Sequence, residues 1–296
     1  MRLPRACFLC AFFSQKTAIA LHASLPNRVT FTDVLRQAAV VRDRIGSPPP
    51  LPQDAEVLSF PSSYPRPDMP GVRRGYCNWL IPGFLIVGQY PGRTPEAWGP
   101  TLEQAEEHIR SVVVDGRVTV FCSLQSEVPA QDDDRAWDRV GGYVNLEYPY
   151  KAQFPRSFTR YAPSALRAAE SLSEDRTAAP PLKFLHEPIE DLTVPESSVL
   201  LSLLLTLLNL MEEDRGAIYL HCWGGRGRAG VVGACLVSLI WPELDSVAVL
   251  DLVQAGYTGR AGANSMPEAL SRSPQTEEQR RFVSNFLRER TRKRSF

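Results

Sequence analysis

The sequence lacks the charge excess that marks many nucleic-acid-binding proteins. Its 296 residues include 33 basic and 33 acidic side chains, so the formal net charge is zero. A nucleic-acid binder usually carries a basic excess or a basic face. Here basic residues cluster only near the end of the chain, over residues 288–294. We therefore expect no nucleic-acid partner.

Long apolar runs and a dense set of cysteines are also missing. A bilayer span needs about 20 apolar residues, but the Leu-rich stretch at residues 199–211 is shorter and contains Ser202, Thr206 and Asn209. We therefore expect no transmembrane segment. The six cysteines are scattered, which argues against a disulfide framework and suits a reducing compartment. The Cys7–Cys10 pair has no second pair, so neither a metal nor another cofactor is expected.

Acidic residues are absent before Asp33, whereas four basic residues occur there. An acid-poor leader that bears arginines, assigned here to residues 1–46, is typical of an organelle transit peptide. A plain disordered leader is the alternative. The expected location is a chloroplast or mitochondrion in the first case and the cytoplasm in the second.

The next part of the chain is rich in proline. Eight prolines lie between residues 47 and 70, and such a stretch is incompatible with a helix or a central strand. Residues 47–75 are therefore predicted to be a semi-extended linker. The folded domain is predicted over residues 76–292, with a basic tail end at 293–296.

Within that domain, short apolar segments alternate with amphipathic ones. Strands are predicted at residues 84–88, 118–122, 182–185 and 217–221. Helices are predicted at residues 101–114, 158–172, 197–211, 229–240 and 276–290. This alternation predicts an α/β fold, a three-layer sandwich with a mainly parallel central sheet flanked by helices.

The candidate site is the sequence His-Cys-Trp-Gly-Gly-Arg-Gly-Arg-Ala-Gly at residues 221–230. A buried strand delivers Cys222, and Arg228 opens the next helix. Glycines let successive backbone N–H groups converge, and a helix N-terminus adds further N–H groups and positive potential. Such a cradle suits a phosphate and favours a reactive thiolate. Arg228 is predicted to grip phosphate oxygens with its planar fork.

The residues between Cys222 and Arg228 are predicted to bind the substrate. Trp223 either forms a wall of the pocket or packs beneath it, and the sequence leaves both readings open. Arg226 either adds positive charge to the cleft or points away from it. His221 is predicted to support the loop backbone rather than to bind a metal. The predicted substrate-binding residues are Trp223, Gly224, Gly225, Arg226 and Gly227.

A Cys-x5-Arg loop after a strand, preceded by His and followed by a helix, resembles the signature of protein tyrosine and dual-specificity phosphatases. The resemblance extends over residues 76–292 and is nearest to the cyclin-dependent-kinase-inhibitor type and its algal and bacterial relatives. It implies a phosphocysteine intermediate at Cys222 and a phosphorylated protein as substrate. The sequence does not indicate an oligomeric state.

The resemblance also implies a general acid upstream of the nucleophile. Residues 188–191 read Pro-Ile-Glu-Asp and resemble the family pattern Pro-Ile-x-Asp. By that match Asp191 protonates the leaving oxygen, a role that general acids fill as a P–O bond breaks. Glu190 is the competing carboxylate. A turn-forming Asp that caps the next helix is the structural alternative.

A third segment, residues 275–282, resembles the glutamine loop of tyrosine phosphatases. There a glutamine positions the water that hydrolyses the phosphocysteine. Gln275 is the better match and Gln279 the second. Without the other two motifs, the segment would be read as a helix start capped by Ser273 or Thr276.

One residue departs from the family pattern. A Ser or Thr usually follows the loop arginine, where its hydroxyl assists release of the cysteine sulfur, but here the residue is Ala229. We expect slower hydrolysis of the phosphoenzyme rather than a different reaction. The functional hypotheses are a protein phosphatase first, a phosphoinositide or other non-protein phosphatase second, and a weakly active module that binds phosphorylated ligands third.

Overall fold

The computed structural model describes residues 29–49, 56–146, 154–173, 181–265 and 271–294. Within them, the helices are α1 (Phe31–Ile45), α2 (Leu102–Val114), α3 (Asp134–Arg139), α4 (Ala162–Ser173), α5 (Ser197–Glu213), α6 (Arg228–Ile240), α7 (Ser246–Thr258) and α8 (Glu277–Arg294). The strands are β1 (Ser63–Pro65), β2 (Arg73–Gly75), β3 (Cys77–Ile81), β4 (Leu85–Gly88), β5 (Val118–Gln125), β6 (Tyr143–Val144), β7 (Phe158–Thr159), β8 (Lys183–Ile189) and β9 (Ala217–His221).

The central sheet has five strands in the order β3-β4-β9-β5-β8. The last four run parallel, and only β3 is antiparallel to its neighbour β4. Parallel strands place their carboxyl ends along one edge of the sheet, which is where α/β proteins bind their ligands. The strand before the Cys-x5-Arg loop, β9, is therefore central in the sheet and opens on that edge.

The two faces of the sheet pack against different cores. Alternation along β9 sends Ile218 and Leu220 into an aliphatic core and Tyr219 into an aromatic one. Helices α1, α5, α6, α7 and α8 contribute to the aliphatic core, whereas α2 and α4 contribute to the aromatic one. Helices thus cover both faces, and the predicted three-layer α/β sandwich with a mainly parallel sheet is confirmed.

The folded part of the chain begins earlier than predicted. Helix α1 is capped reciprocally by Thr30 and Asp33, an arrangement that satisfies two free N–H groups at a helix start. The helix buries Phe31 and Val34 against the aliphatic core. The Trp241 indole N–H also donates to the carbonyl of Gly46 at 2.7 Å. Assigning residues 29–46 to a leader was therefore wrong, because their apolar face has a partner. The remaining leader residues, 1–28, lie outside the described part.

The predicted linker at residues 47–75 also folds in large part. Strands β1 and β2 form a two-stranded antiparallel ribbon. Tyr64 is 1% exposed and its ring lies 4.8 Å from that of Tyr76. Such a ribbon has only edge strands, where proline is tolerated, so Pro65 fits within it. The proline count therefore mispredicted the region, of which residues 50–55 are outside the described part.

Other boundaries need smaller corrections. The predicted helix at residues 158–172 begins later, since residues 158–159 form β7 and α4 starts at residue 162. Strand β3 and helix α7 had no counterpart in the sequence prediction. Among the described helices, none combines the length and apolar character that a bilayer crossing requires.

Candidate active site

The predicted site residues meet at the carboxyl edge of the parallel strands. Cys222 directly follows β9 and is 3% exposed. Asp191 lies two residues beyond the end of β8, and Glu127 lies two residues beyond the end of β5. Since these strands are parallel and adjacent, their ends converge on one edge. The structure therefore brings together Cys222, Arg228 and Asp191, which the sequence places up to 37 positions apart.

The loop between Cys222 and Arg228 needs glycine at residue 225. Gly225 has φ of +66°, a left-handed conformation that glycine adopts without steric cost. A Cβ atom there would lie 2.1 Å from the carbonyl carbon of Gly88, too close for any side chain. The glycine-rich composition thus reflects close packing of the loop against the end of β4.

The carbonyl groups of this loop are held from outside. Across residues 223–227, each carbonyl oxygen accepts a hydrogen bond from a group beyond the loop, while none of the five N–H groups donates to a protein acceptor in the described part of the chain. The unpaired N–H groups are therefore available to an anion. The donors are the Tyr90 N–H to Trp223, the Arg260 guanidinium to Gly224 and Gly225, the Ser273 hydroxyl to Arg226, and the Val231 N–H to Gly227.

Arg260 is the main brace of the loop. Its Nη1 donates to the Gly224 carbonyl at 3.3 Å and its Nη2 to that of Gly225 at 2.8 Å. The same guanidinium binds the Asn78 side chain at 2.8 Å and the Val87 carbonyl at 2.9 Å. Arg260 thus ties the loop to β3 and β4 with a single planar fork.

Arg228 is 1% exposed and faces carboxylates. Its Nη1 and Nη2 form a bidentate pair with Glu127 at 2.7 and 2.8 Å, and Nη2 lies 3.0 Å from Asp191 Oδ1. Nη1 also donates to the Ile189 carbonyl at 3.0 Å. The Arg228 Nε is buried and has no partner in the described part of the chain.

The carboxylates and the cysteine keep Arg228 firmly charged. Burial lowers the pKa of the Arg228 guanidinium, but the hydrogen bond with Glu127 and the negative charges of Cys222, Glu127 and Asp191 raise that pKa well above its usual value. The sulfur of Cys222 thus lies within electrostatic reach of a permanent cation. A buried cation beside free N–H groups makes the loop a site for a dianion such as phosphate.

The two candidate acids differ in placement. The carboxylate of Asp191 contacts Arg228 and is 41% exposed. Glu190 is exposed, and its carbonyl accepts hydrogen bonds from the N–H and hydroxyl of Thr193. Asp191 therefore stands where a carboxyl group can reach both the phosphate site and solvent.

Both predicted glutamines lie against the loop. A Cβ atom at Gly227 would be 3.2 Å from Gln279 Nε2 and 3.3 Å from Gln275 Oε1. Gln279 is fully buried, and its side chain forms a reciprocal cap with Thr276 at the start of α8. Thr276 therefore caps the start of α8, as the sequence suggested, and its capping partner is Gln279 of the glutamine segment.

Trp223 and His221, on either side of Cys222, are both held by polar and aromatic neighbours. The Trp223 indole donates to Glu96 at 2.7 Å and packs edge-on against Phe158, so it is fixed to one side of the loop. His221 is fully buried, and its Nε2 lies 2.7 Å from the Tyr161 hydroxyl. Burial lowers the pKa of His221 to about 3, so its imidazole is neutral.

Arg226 has a different environment from the other two arginines of the site. Its Nη1 is buried and has no partner in the described residues. Burial lowers the pKa of its guanidinium, and Arg74 lowers it further, whereas Cys222 acts in the opposite direction. Arg226 therefore adds positive charge within electrostatic reach of Cys222.

Sequence reasoning missed Glu127 and Arg260. Glu127 follows a buried strand at the functional edge of the sheet, and that position was the available signal. Arg260 carried no comparable signal, because helix α7 before it was itself not predicted. In the described residues, no group of three or more His, Cys, Asp or Glu side chains is arranged to hold a metal ion.

A family model described as "Swiss Army Knife protein, DSP-PTPase phosphatase domain" matches residues 165–283. No curated protein matches the chain. Among solved structures, PTPMT1 is 14% identical, with a TM-score of 0.40, covering 72% of this chain and 94% of its own.

Two other solved structures show a similar degree of likeness. Tk-PTP is 18% identical, with a TM-score of 0.42, covering 78% of this chain and 99% of its own. Kinase associated phosphatase is 12% identical, with a TM-score of 0.43, covering 74% of this chain and 96% of its own. The family match includes the entire Cys-x5-Arg loop, Asp191 and both glutamines. Residues 165–283, which contain the candidate site, therefore match a phosphatase domain of the dual-specificity protein tyrosine phosphatase type.

Proposed function

We propose that this phosphatase hydrolyses phosphotyrosine or phosphoserine/threonine on proteins through a phosphocysteine at Cys222. The observation that carries the proposal is the hydrogen bonding of the loop backbone, whose carbonyl groups are bound from outside while its N–H groups stay available. All five carbonyls at residues 223–227 accept hydrogen bonds from outside the loop, and the N–H groups of the same residues have no acceptor in the part of the chain that the structure describes. Preorganised donors of this kind stabilise charge that develops on a phosphoryl group.

In the first step, the Cys222 thiolate attacks phosphorus, and the bond from phosphorus to the leaving oxygen breaks. Arg228 and the loop N–H groups bind the non-bridging oxygens. Asp191 donates its proton to the leaving oxygen, which otherwise departs as an unstable alkoxide or phenoxide. The products are the dephosphorylated hydroxyl and a phosphocysteine.

In the second step, a water molecule attacks phosphorus and the S–P bond breaks. The Asp191 carboxylate accepts the proton of that water and returns to its acid form. Gln275 is the residue proposed to orient the water, because its side-chain oxygen lies beside Gly227. The products are inorganic phosphate and the free Cys222 thiolate, so no cofactor is consumed.

The decisive test compares the wild-type protein with a Cys222→Ser variant on aryl phosphates and on phosphopeptides. We expect metal-independent turnover by the wild type and a loss of more than roughly 10³-fold in the variant. An Asp191→Ala variant should also accumulate a phosphorylated Cys222, visible by mass spectrometry. A folded wild-type protein with a reduced Cys222 and no turnover would contradict the proposal.

A phosphoinositide or other non-protein phosphatase is the second candidate, and Arg226 is the reason for it. Its Nη1 is buried and has no partner among the described residues, and its charge acts on Cys222. A cation there favours a substrate with negative charge beyond the transferred phosphate. Comparing kcat/KM on phosphopeptides and on inositol lipids, with Arg226→Met as a probe, separates the two. Activity on peptides alone, unaffected by the Arg226 change, would remove the lipid candidate.

A further inference from the structure

We propose that Gln279 is a positioning residue that holds the acid loop, residues 188–195, with Asp191 beside Arg228. The inference rests on the proposed function, in which Asp191 is the general acid. It differs from the expectation that a glutamine of this segment orients the hydrolytic water. Gln279 acts through Asp191 and does not touch the substrate.

The hydrogen bonds of Gln279 leave its carbonyl oxygen no capacity for water. Its Oε1 accepts from the N–H groups of Gln275 at 3.0 Å and Thr276 at 3.2 Å. An amide oxygen has two lone pairs, so both are in use. Its Nε2 donates to the carbonyl of Thr193 at 3.0 Å. The side chain is fully buried and ends on the acid loop.

The acid loop needs an external tie at this point. Leu192 has φ of +65°, a left-handed conformation that residues with a branched side chain rarely adopt. Its side chain is 47% exposed, so burial contributes little to holding the turn. Within the turn, Thr193 bonds back to the Glu190 carbonyl through its N–H at 3.3 Å and its hydroxyl at 2.8 Å. These bonds are local and do not fix the turn to the rest of the protein.

Contacts on both sides of Leu192 fix the turn, and the Arg228 Nη1 bond to the Ile189 carbonyl holds the start of the acid loop. On one side, Asp191 Oδ1 meets Arg228 Nη2 at 3.0 Å. On the other, the Thr193 carbonyl receives Gln279 Nε2. Gln279 also lies against Gly227 of the phosphate-binding loop. One side chain thereby links the acid loop to the phosphate-binding loop, which sets the distance between the acid and the leaving oxygen.

The test is a Gln279→Glu variant, which separates the two bonding roles of the residue. A glutamate still accepts from the N–H groups of Gln275 and Thr276, so the cap at the start of α8 is kept. It has no N–H to offer Thr193. The matched control is Thr276→Ala, which weakens the same cap and leaves the Gln279 donor in place.

The readout is how kcat/KM depends on the leaving-group pKa across a series of aryl phosphates. A misplaced acid penalises poor leaving groups such as phenol and spares activated ones such as p-nitrophenol. General acids supply about 10²–10⁴-fold, so we expect Gln279→Glu to lose about tenfold on phenyl phosphate and less than twofold on p-nitrophenyl phosphate. Thr276→Ala should lower thermal stability and leave this ratio unchanged.

Three results would overturn the inference. The first is an unchanged leaving-group dependence in Gln279→Glu. The second is an equal loss of kcat for all substrates with a phosphoenzyme burst, which indicates a role in orienting water. The third is a pH profile of kcat/KM in which Gln279→Glu shifts the basic limb but leaves the plateau unchanged. Such a profile would reflect only the negative charge that the glutamate adds. An Asp191→Asn variant serves as reference, and if it leaves the leaving-group dependence unaltered, the proposed function itself fails.

Discussion

Arg228 and Arg260 serve the same loop with different partners. Arg228 faces two carboxylates, Glu127 and Asp191, which together with Cys222 raise its pKa. Arg260 faces carbonyl groups and one side-chain amide, and burial lowers its pKa. Both are almost fully buried. The difference indicates that one guanidinium is arranged to meet an incoming anion and the other to hold the backbone.

The comparison shows why the loop at residues 223–227 has two kinds of support. A loop whose N–H groups face inward must direct its carbonyls outward, where buried carbonyls cost free energy unless they are bonded. Arg260 satisfies two of them with one planar group. With the backbone secured in this way, Arg228 can offer a ligand its Nε, which has no partner among the described residues.

Of the two arginine replacements, Arg228 to lysine should have the larger effect on catalysis. Arg228→Lys keeps a positive charge but loses the planar fork, so kcat/KM should fall by about 10²–10³-fold, as when one preorganised donor is removed from a transition-state site. The free energy of unfolding should fall by about 2 kcal/mol, because one charged hydrogen bond to Glu127 is lost. Steady-state kinetics and urea unfolding measure the two effects.

Replacing Arg260 with lysine should affect stability more than catalysis, the opposite of the Arg228 replacement. A lysine cannot bond three carbonyls and an amide at once, and each buried acceptor left unpaired costs about 1–3 kcal/mol. We expect Arg260→Lys to lower the free energy of unfolding by about 3 kcal/mol or more, with a smaller loss of kcat/KM, about tenfold, in the folded protein. Equal losses of activity in the two lysine variants, with stability untouched, would show that the division of roles is wrong.

Replacing Ala229 with serine should have the smallest effect on catalysis. It tests the residue that directly follows Arg228. Ala229 is fully buried directly after Arg228, where it has no hydroxyl to assist the sulfur. A hydrogen bond worth about 1 kcal/mol corresponds to about a fivefold rate change. Ala229→Ser should therefore raise kcat about fivefold through phosphoenzyme hydrolysis and leave kcat/KM unchanged. Stopped-flow measurement of the burst checks this.

An absence of any change in Ala229→Ser would count against a slow second step. It would also remove the rationale for a weakly active module that binds phosphorylated ligands, since that idea depends on the missing hydroxyl. A rise in kcat/KM instead would place the effect in the first step and show that the serine alters substrate binding.

Prediction from sequence worked best where the chemistry is contiguous. Cys222 and Arg228 are close in the chain, and a strand, glycines and a helix surround them, so local rules were sufficient. Asp191 was predicted as the acid through family resemblance alone, since nothing in its immediate sequence distinguishes a general acid from a helix cap. Glu127 pairs with Arg228 across 101 positions, a separation that periodicity cannot bridge.

The errors near the N-terminus have a related cause. Composition correctly marks proline as unfavourable in helices and central strands, yet residues 63–75 form a ribbon with only edges. Helix α1 was included in a leader because the residues before Asp33 lack acidic side chains, although the apolar face of the helix packs into the aliphatic core. Both regions depend on partners that lie far away in the chain.

The sequence by itself determined the alternation of strands and helices in the sheet domain and the glycine-rich loop between Cys222 and Arg228, because these follow from short-range periodicity and from chemistry within one turn. Only the tertiary structure decided which carboxylate pairs with Arg228, that Arg260 holds the loop, and that Gln279 reaches the acid loop. Those contacts join strand ends and helices that come together only when the sheet forms, so no local pattern encodes them.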